Sequence, residues 1–278
     1  MHSTLRPTLS KLAPALAAAL LISACAKPVT QTPGVSSQEV AAEAKAHEDA
    51  VKASQAAGNG GRGSLDRTQS IAVLSDVAKR VLPSATDYCK QFTGAPDCGF
   101  AVALDKDDAP LNAYADGKQV VISPAMIAFT KTNDELAVVV SHELAHNILT
   151  HPQRATQNAM IGGLGGTLVD MAAQYYGINA GVSAAQLGQQ MAVARYSQDF
   201  ERDADYLGVY ILSAAGYDVN TAPAFWQRMS IAGPDGIYRA SSHPTNPERA
   251  VMLRKAIEEI QAKKAAGQPL TPNLRPSK

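Results

Sequence analysis

His142-Glu143-Leu144-Ala145-His146 is the stretch on which the reading of this 278-residue chain turns. Two histidines four apart project from successive turns of one helical face and can hold one metal between them. Glu143, one residue past the first, reaches the place where a general base for a bound water stands. Chance alone yields such a pentapeptide in roughly 0.4% of chains with this His and Glu content, so its surroundings have to carry the argument. Thr132 reads as an N-cap with Glu135 as its capping-box partner, and Asp134 and Glu135 suit the first turn. The apolar run Leu136 to Val140 would bury the segment. A buried helix bearing two histidines and a carboxylate is costly unless those groups have partners, and a metal serves all three.

A catalytic zinc site needs a third protein ligand and an open position. Glu201 is the best candidate, in Glu201-Arg202-Asp203-Ala204-Asp205 on a helix predicted from about Ser197 to Ala215. Asp205, four residues on, shares its face and would accept the outward N–H of a ligand histidine, fixing its tautomer. Asp199, Arg202 and Asp203 read as a solvated face. His151 follows the second histidine by five residues with no glycine between, which does not fit a metzincin third ligand; it reads as a helix C-terminal residue favoured by the dipole.

These motifs, with Gly208 and Ala215-Gly216-Tyr217-Asp218 after them, resemble the gluzincin zinc metallopeptidase family that contains HtpX, Oma and the CAAX prenyl proteases. Within it they are most similar to the soluble periplasmic lipoprotein branch with BepA and LoiP. Asn112-Ala113-Tyr114-Ala115 matches the family's substrate-binding segment at the edge strand beside the cleft. Ser242-His243-Pro244 with Glu248-Arg249 matches its His-Pro and Arg pair. The resemblance spans about residues 70 to 260. It implies one Zn2+ per chain on His142, His146 and Glu201, with Glu143 as general base. It also implies peptide paired along Asn112, Ala113 and Tyr114. His243 would be either a removable fourth ligand or an oxyanion stabiliser, against a plain loop histidine. Arg249 would be an oxyanion or substrate contact, against a surface charge. The transmembrane helices of the integral-membrane branch and the helical-repeat domain of some periplasmic relatives are not expected here.

The N-terminus places the chain. Arg6 and Lys11 precede an apolar run from Leu12 to Ile22, and Ile22-Ser23-Ala24-Cys25 resembles a bacterial lipobox, so residues 1–24 read as a lipoprotein signal peptide and Cys25 as the lipidated residue. The alternatives are an ordinary secretory signal cut near Ala24 and an uncleaved anchor. Ala26 after the cysteine resembles the outer-membrane sorting rule. Without residues 1–24 the chain carries 23 basic and 25 acidic residues, with no basic stripe to suggest a nucleic-acid partner. In an exported chain Cys89 and Cys98 read as a disulfide.

Residues 25–63 read as a lipidated tether followed by a weak, exposed helix from Gln38 to Ala57, ended by Gly58 to Gly63. The folded domain is expected over residues 64–266 and a disordered tail over 267–278. Ile71 to Leu82 recurs at helical spacing up to Pro83; Phe100 to Leu104 and Gln119 to Ser123 read as short strands; the site helix is expected to stop at Pro152. Asn158 to Gly188 reads as mobile helical hairpin material near the site, and a last helix as running from Asn246-Pro247 to about Ala266. The fold class is α+β, mainly α-helical, a zincin-like domain with a small edge sheet beside the active-site helix. The expected function is a zinc endopeptidase of the bacterial envelope, an outer-membrane lipoprotein facing the periplasm, acting on unfolded or misassembled envelope proteins. The rival is a latent, chaperone-like lipoprotein that binds clients at a metal site and rarely cuts.

Overall fold

The buried run around the pentapeptide does form a helix, and the rest of the domain is arranged to cover it. The computed structural model describes residues 30–57, 60–96, 98–106, 110–175, 183–231 and 247–275. The chain divides into two compact units, one of residues 28–152 with 197–278 and one containing 153–196. The first unit carries helices α1 (Ser37–Ala57), α2 (Arg67–Thr93), α3 (Pro124–Phe129), α4 (Asn133–Ile148), α7 (Thr221–Ile231) and α8 (Pro247–Ala265). Helices α5 (His151–Tyr175) and α6 (Ala184–Ala214) have parts in both units. Within the second unit Ser183 donates to the Asp170 carboxylate at 2.7 Å.

Every residue of α4 from Glu135 to Ile148 is buried, the polar Ser141, His142, Glu143, His146 and Asn147 included. Its N-cap is Thr132, which accepts from Glu135 N–H. Glu135 itself accepts from the N–H of Lys131, the residue before the N-cap, instead of the expected N–H of Thr132, and the same carboxylate accepts from Arg228 of α7. Helix α2 packs along α4 through Leu74, Val77, Val81, Ala85 and Tyr88. It runs straight through Pro83, where the sequence pattern suggested an end. Proline forfeits one backbone hydrogen bond there, and burial of Ala85, Tyr88 and Cys89 in the following turns outweighs that loss. The helix stops at Gly94, whose φ of 68° allows its N–H to reach Lys90 O. Cys89 and Cys98 are joined across this stop.

The strands β1 (Ala101–Leu104), β2 (Ala113–Ala115) and β3 (Gln119–Ile122) form a sheet of order β1-β3-β2. β1 is parallel and β2 antiparallel to β3, with Tyr114 opposite Val121. Both β2 and β3 pack on α4, so the sheet's β2 edge lies beside the site helix. Ala113 is buried and Tyr114 is exposed. The observed class is thus mainly α with a small mixed sheet.

The two ends of the first unit depart from expectation. Residues 30–57 belong to the folded unit: α1 packs on α8, with Glu39 paired to Lys255 and Glu43 to Arg254. The helix lacks an apolar stripe, so nothing in its periodicity signalled that its partner is charged. Residues 267–275 are placed too, Asn273 O accepting from Gln31 N–H at 2.8 Å and Leu270 O from the Tyr88 hydroxyl at 2.7 Å. Pro152 opens α5 instead of ending α4, in the first turn where proline's missing N–H costs nothing. Helix α7 was not foreseen at all. Residues 1–29, with the expected signal and Cys25, lie outside the described residues, as do Asn246 and His243.

Candidate metal centre

Helix α4 supplies His142, Glu143 and His146, and α6 supplies Glu201 and Asp205. The two helices are brought together at a glycine. A Cβ on Gly208 would stand 3.2 Å from the His142 Cα and 3.3 Å from its N, so only glycine lets α6 approach this closely without displacement.

All five side chains are buried. His142 Nε2 and His146 Nε2 lie 3.1 Å apart, and each faces one oxygen of Glu201 at 3.3 Å. Donors held about 2.0–2.1 Å from a common tetrahedral centre sit about 3.3 Å apart, so these three separations fit one zinc ion. Two imidazoles and one carboxylate are the borderline N and O donors that zinc accepts, and among the described residues they form the only such cluster.

The surroundings orient these donors. His142 Nδ1 stands 3.1 Å from Asp205 Oδ1, which leaves Nε2 to the metal position. Arg249 of α8 reaches Asp205 through Nε at 2.8 Å and Nη2 at 2.9 Å, and Glu201 through Nη1 at 3.0 Å. Burial alone would lower the His142 imidazole, but Asp205 and Glu201 more than reverse this and push it up to about 10 in the metal-free site. Burial raises the Asp205 carboxyl; Arg249 and His142 outweigh it and hold Asp205 below its ordinary value. The site is therefore built to concentrate negative charge where a cation fits.

Arg249 is only 3% exposed, which removes the surface-charge alternative for it. Asp203 is likewise fully buried, not solvated; its carboxylate accepts from the N–H and hydroxyl of Thr30. Asn112, Ala113 and Tyr114 lie at and before β2, Asn112 exchanging backbone and side-chain hydrogen bonds with Ser123. His151, buried at the start of α5, sits against His146. Trp226 escaped the sequence reading because it lies on α7. Its ring meets that of His142 edge-on at 5.0 Å. Being the chain's single tryptophan was the one signal it offered. Trp226, Asp205, Arg249 and Leu253 line a hollow of about 100 Å³, together with Glu43 and His47 of α1.

Residues 76–257 match the model of peptidase family M48. The chain belongs to that family. Among M48 relatives, a beta-barrel assembly-enhancing protease of Yersinia pestis is 32% identical over 43% of this chain and 26% of its own length. The mitochondrial metalloendopeptidase OMA1 of Schizosaccharomyces pombe is 26% identical over 69% of this chain and 60% of its own. A putative beta-barrel assembly-enhancing protease of Vibrio cholerae is 29% identical over 62% and 34%. The chain thus spans between about a quarter and three fifths of the length of these relatives. The M48 domain and the His142, His146 and Glu201 triad together constitute a zinc metallopeptidase site for a single Zn2+.

Proposed function

We propose that this protein is a zinc-dependent endopeptidase of the bacterial cell envelope that cleaves unfolded or misassembled envelope proteins. The convergence of His142, His146 and Glu201 at tetrahedral donor spacing carries the reading. Zinc bound there would supply Lewis acidity, bringing the pKa of a water toward neutrality and polarising a peptide carbonyl. Glu143, buried beside the first ligand, takes the proton of the attacking water and returns it to the leaving amine. Asp205 and Arg249 keep His142 and Glu201 in position. The β2 edge, with Tyr114 outward, offers backbone pairing to an extended peptide, a mode that tolerates many sequences.

The envelope setting is supported by the lipobox-like Ile22 to Cys25 and by the names of the bacterial relatives. No described helix is long and apolar enough to cross a membrane, which suits attachment through a lipid on Cys25 to the outer membrane, facing the periplasm. The test is zinc analysis paired with proteolysis of casein and of a misfolded outer-membrane protein. Glu143→Gln should keep its zinc and lose about 10²–10⁴-fold in cleavage rate. Equal cleavage by this variant would refute the assignment, and client stabilisation without cleavage by wild type would favour the chaperone-like alternative.

A further inference from the structure

The second histidine of the pentapeptide has an unusual neighbour. His146 Nδ1 lies 2.9 Å from His151 Nδ1, within the protein interior. Metal-ligating histidines ordinarily donate the outer N–H to a carboxylate, a backbone carbonyl or water; His142 Nδ1 faces such a carboxylate, 3.1 Å from Asp205 Oδ1. A neutral imidazole has one N–H, so a contact between two ring nitrogens is favourable only when one of them is a donor and the other an acceptor.

We propose that His151 is a positioning residue for the metal centre: a neutral histidine whose Nδ1 lone pair accepts the Nδ1–H of His146 and thereby presents His146 Nε2 to zinc. This rests on the zinc reading above. With His146 Nε2 among the donors, the His146 proton must sit on Nδ1. His151 must then leave its own Nδ1 bare and carry its N–H on Nε2.

Two features of the backbone and packing hold His151 to this task. Thr150 adopts φ 55°, the left-handed region that a β-branched residue seldom enters, and it does so in the tight turn between α4 and α5 that brings His151 back onto His146. The His151 ring then stacks on Phe200, centroids 4.3 Å apart and planes within 11°. Phe200 directly precedes Glu201, so the third ligand and the support of the second are set by adjacent residues of one helix.

The experiment uses the full chain. In wild type loaded with zinc, nitrogen-15 NMR of labelled histidines should show His146 protonated at Nδ1 and His151 at Nε2. Chelator competition then compares His151→Phe, which keeps the stack but offers no acceptor, with His151→Asn, whose Oδ1 can accept near the place of Nδ1. The Phe variant should bind zinc about 10–100-fold more weakly, and the Asn variant should recover most of that loss. The metal-free melting temperatures report whether each variant folds. Wild-type zinc affinity in the Phe variant, no recovery in Asn, or His151 protonated at Nδ1 in the loaded protein would each overturn the proposal. Should the Phe variant not fold, the tautomers of wild type decide. Failure of wild type to bind zinc would instead defeat the peptidase reading itself.

Discussion

Arg249 holds Asp205 side-on, Nε to Oδ2 at 2.8 Å and Nη2 to Oδ1 at 2.9 Å, while its third nitrogen meets Glu201 at 3.0 Å. One guanidinium thus holds both Glu201 of the metal-competent triad and Asp205, which faces His142. A lysine preserves the charge but not the fork. Arg249→Lys should weaken zinc binding about 10–100-fold with the KM for peptide little changed. Chelator competition and steady-state kinetics on the same preparation check this. A raised KM with unaltered zinc affinity would return Arg249 to the substrate-contact role that the family resemblance implied.

Gly208 sets the separation of the two helices that carry the His142, His146 and Glu201 triad. A methyl group there would press on the His142 backbone at 3.2 Å, and the atoms it meets are main chain, which cannot swing aside. Gly208→Ala should cost about 1–3 kcal/mol of stability and weaken zinc binding as well, since Glu201 moves with its helix. Urea unfolding of the metal-free form separates the first effect from the second. A variant as stable and as zinc-avid as wild type would show that α4 and α6 can adjust.

The metal half-site was legible because its periodicity and its chemistry coincide: His142, His146, Glu201 and Asp205 each lie at a four-residue helical spacing from a partner. What sequence left hidden depends on contacts between distant segments. Trp226 and Arg228 sit on α7, whose short run Thr221–Ile231 carries Pro223 and no clear stripe. Asp203 looked solvated because its partner, Thr30, lies 173 positions away. The same holds for α1, which is bound to α8 largely through ion pairs instead of an apolar face. Proline misled twice for a local reason. Pro83 is overridden by packing, and Pro152 marks a helix start that adjoins the previous helix's end.

The N-terminal strap contributes to stability through Thr30. Its N–H and hydroxyl both reach the buried Asp203 carboxylate, and its carbonyl accepts from Arg275 Nε at 3.0 Å. Thr30→Val keeps the shape and removes the hydroxyl, leaving a buried carboxylate short of a donor. The expected loss is about 1–3 kcal/mol. Melting and hydrogen exchange at the Gln31 amide, which bonds to Asn273 O, should both register it. Unchanged exchange at Gln31 would mean that the strap is held elsewhere.

Glu135 and Arg228 join α4 to α7 through a two-pronged pair at 2.8 and 2.6 Å, and Arg228 also lies over the Phe129 ring, 4.7 Å from its centroid. Burial works to raise the Glu135 carboxyl, but Arg228 and the Lys131 N–H outweigh it and hold the group below its ordinary value of 4.5. A carboxylate lowered in the folded state stabilises fully above the unfolded value and loses that contribution as pH falls through the folded one. Glu135→Gln should therefore be less stable than wild type by about 1–3 kcal/mol at neutral pH, the pair being nearly but not wholly buried. The gap should hold down to about pH 5 and then close as the solution is acidified, because the wild-type carboxyl takes up its proton while the amide has none to gain. Urea titrations of both proteins, metal-free, from pH 7 to pH 3 measure it. A gap that stays constant over that range would show that the pair's contribution is not ionic and that Arg228 acts mainly through its packing on Phe129 and Phe225.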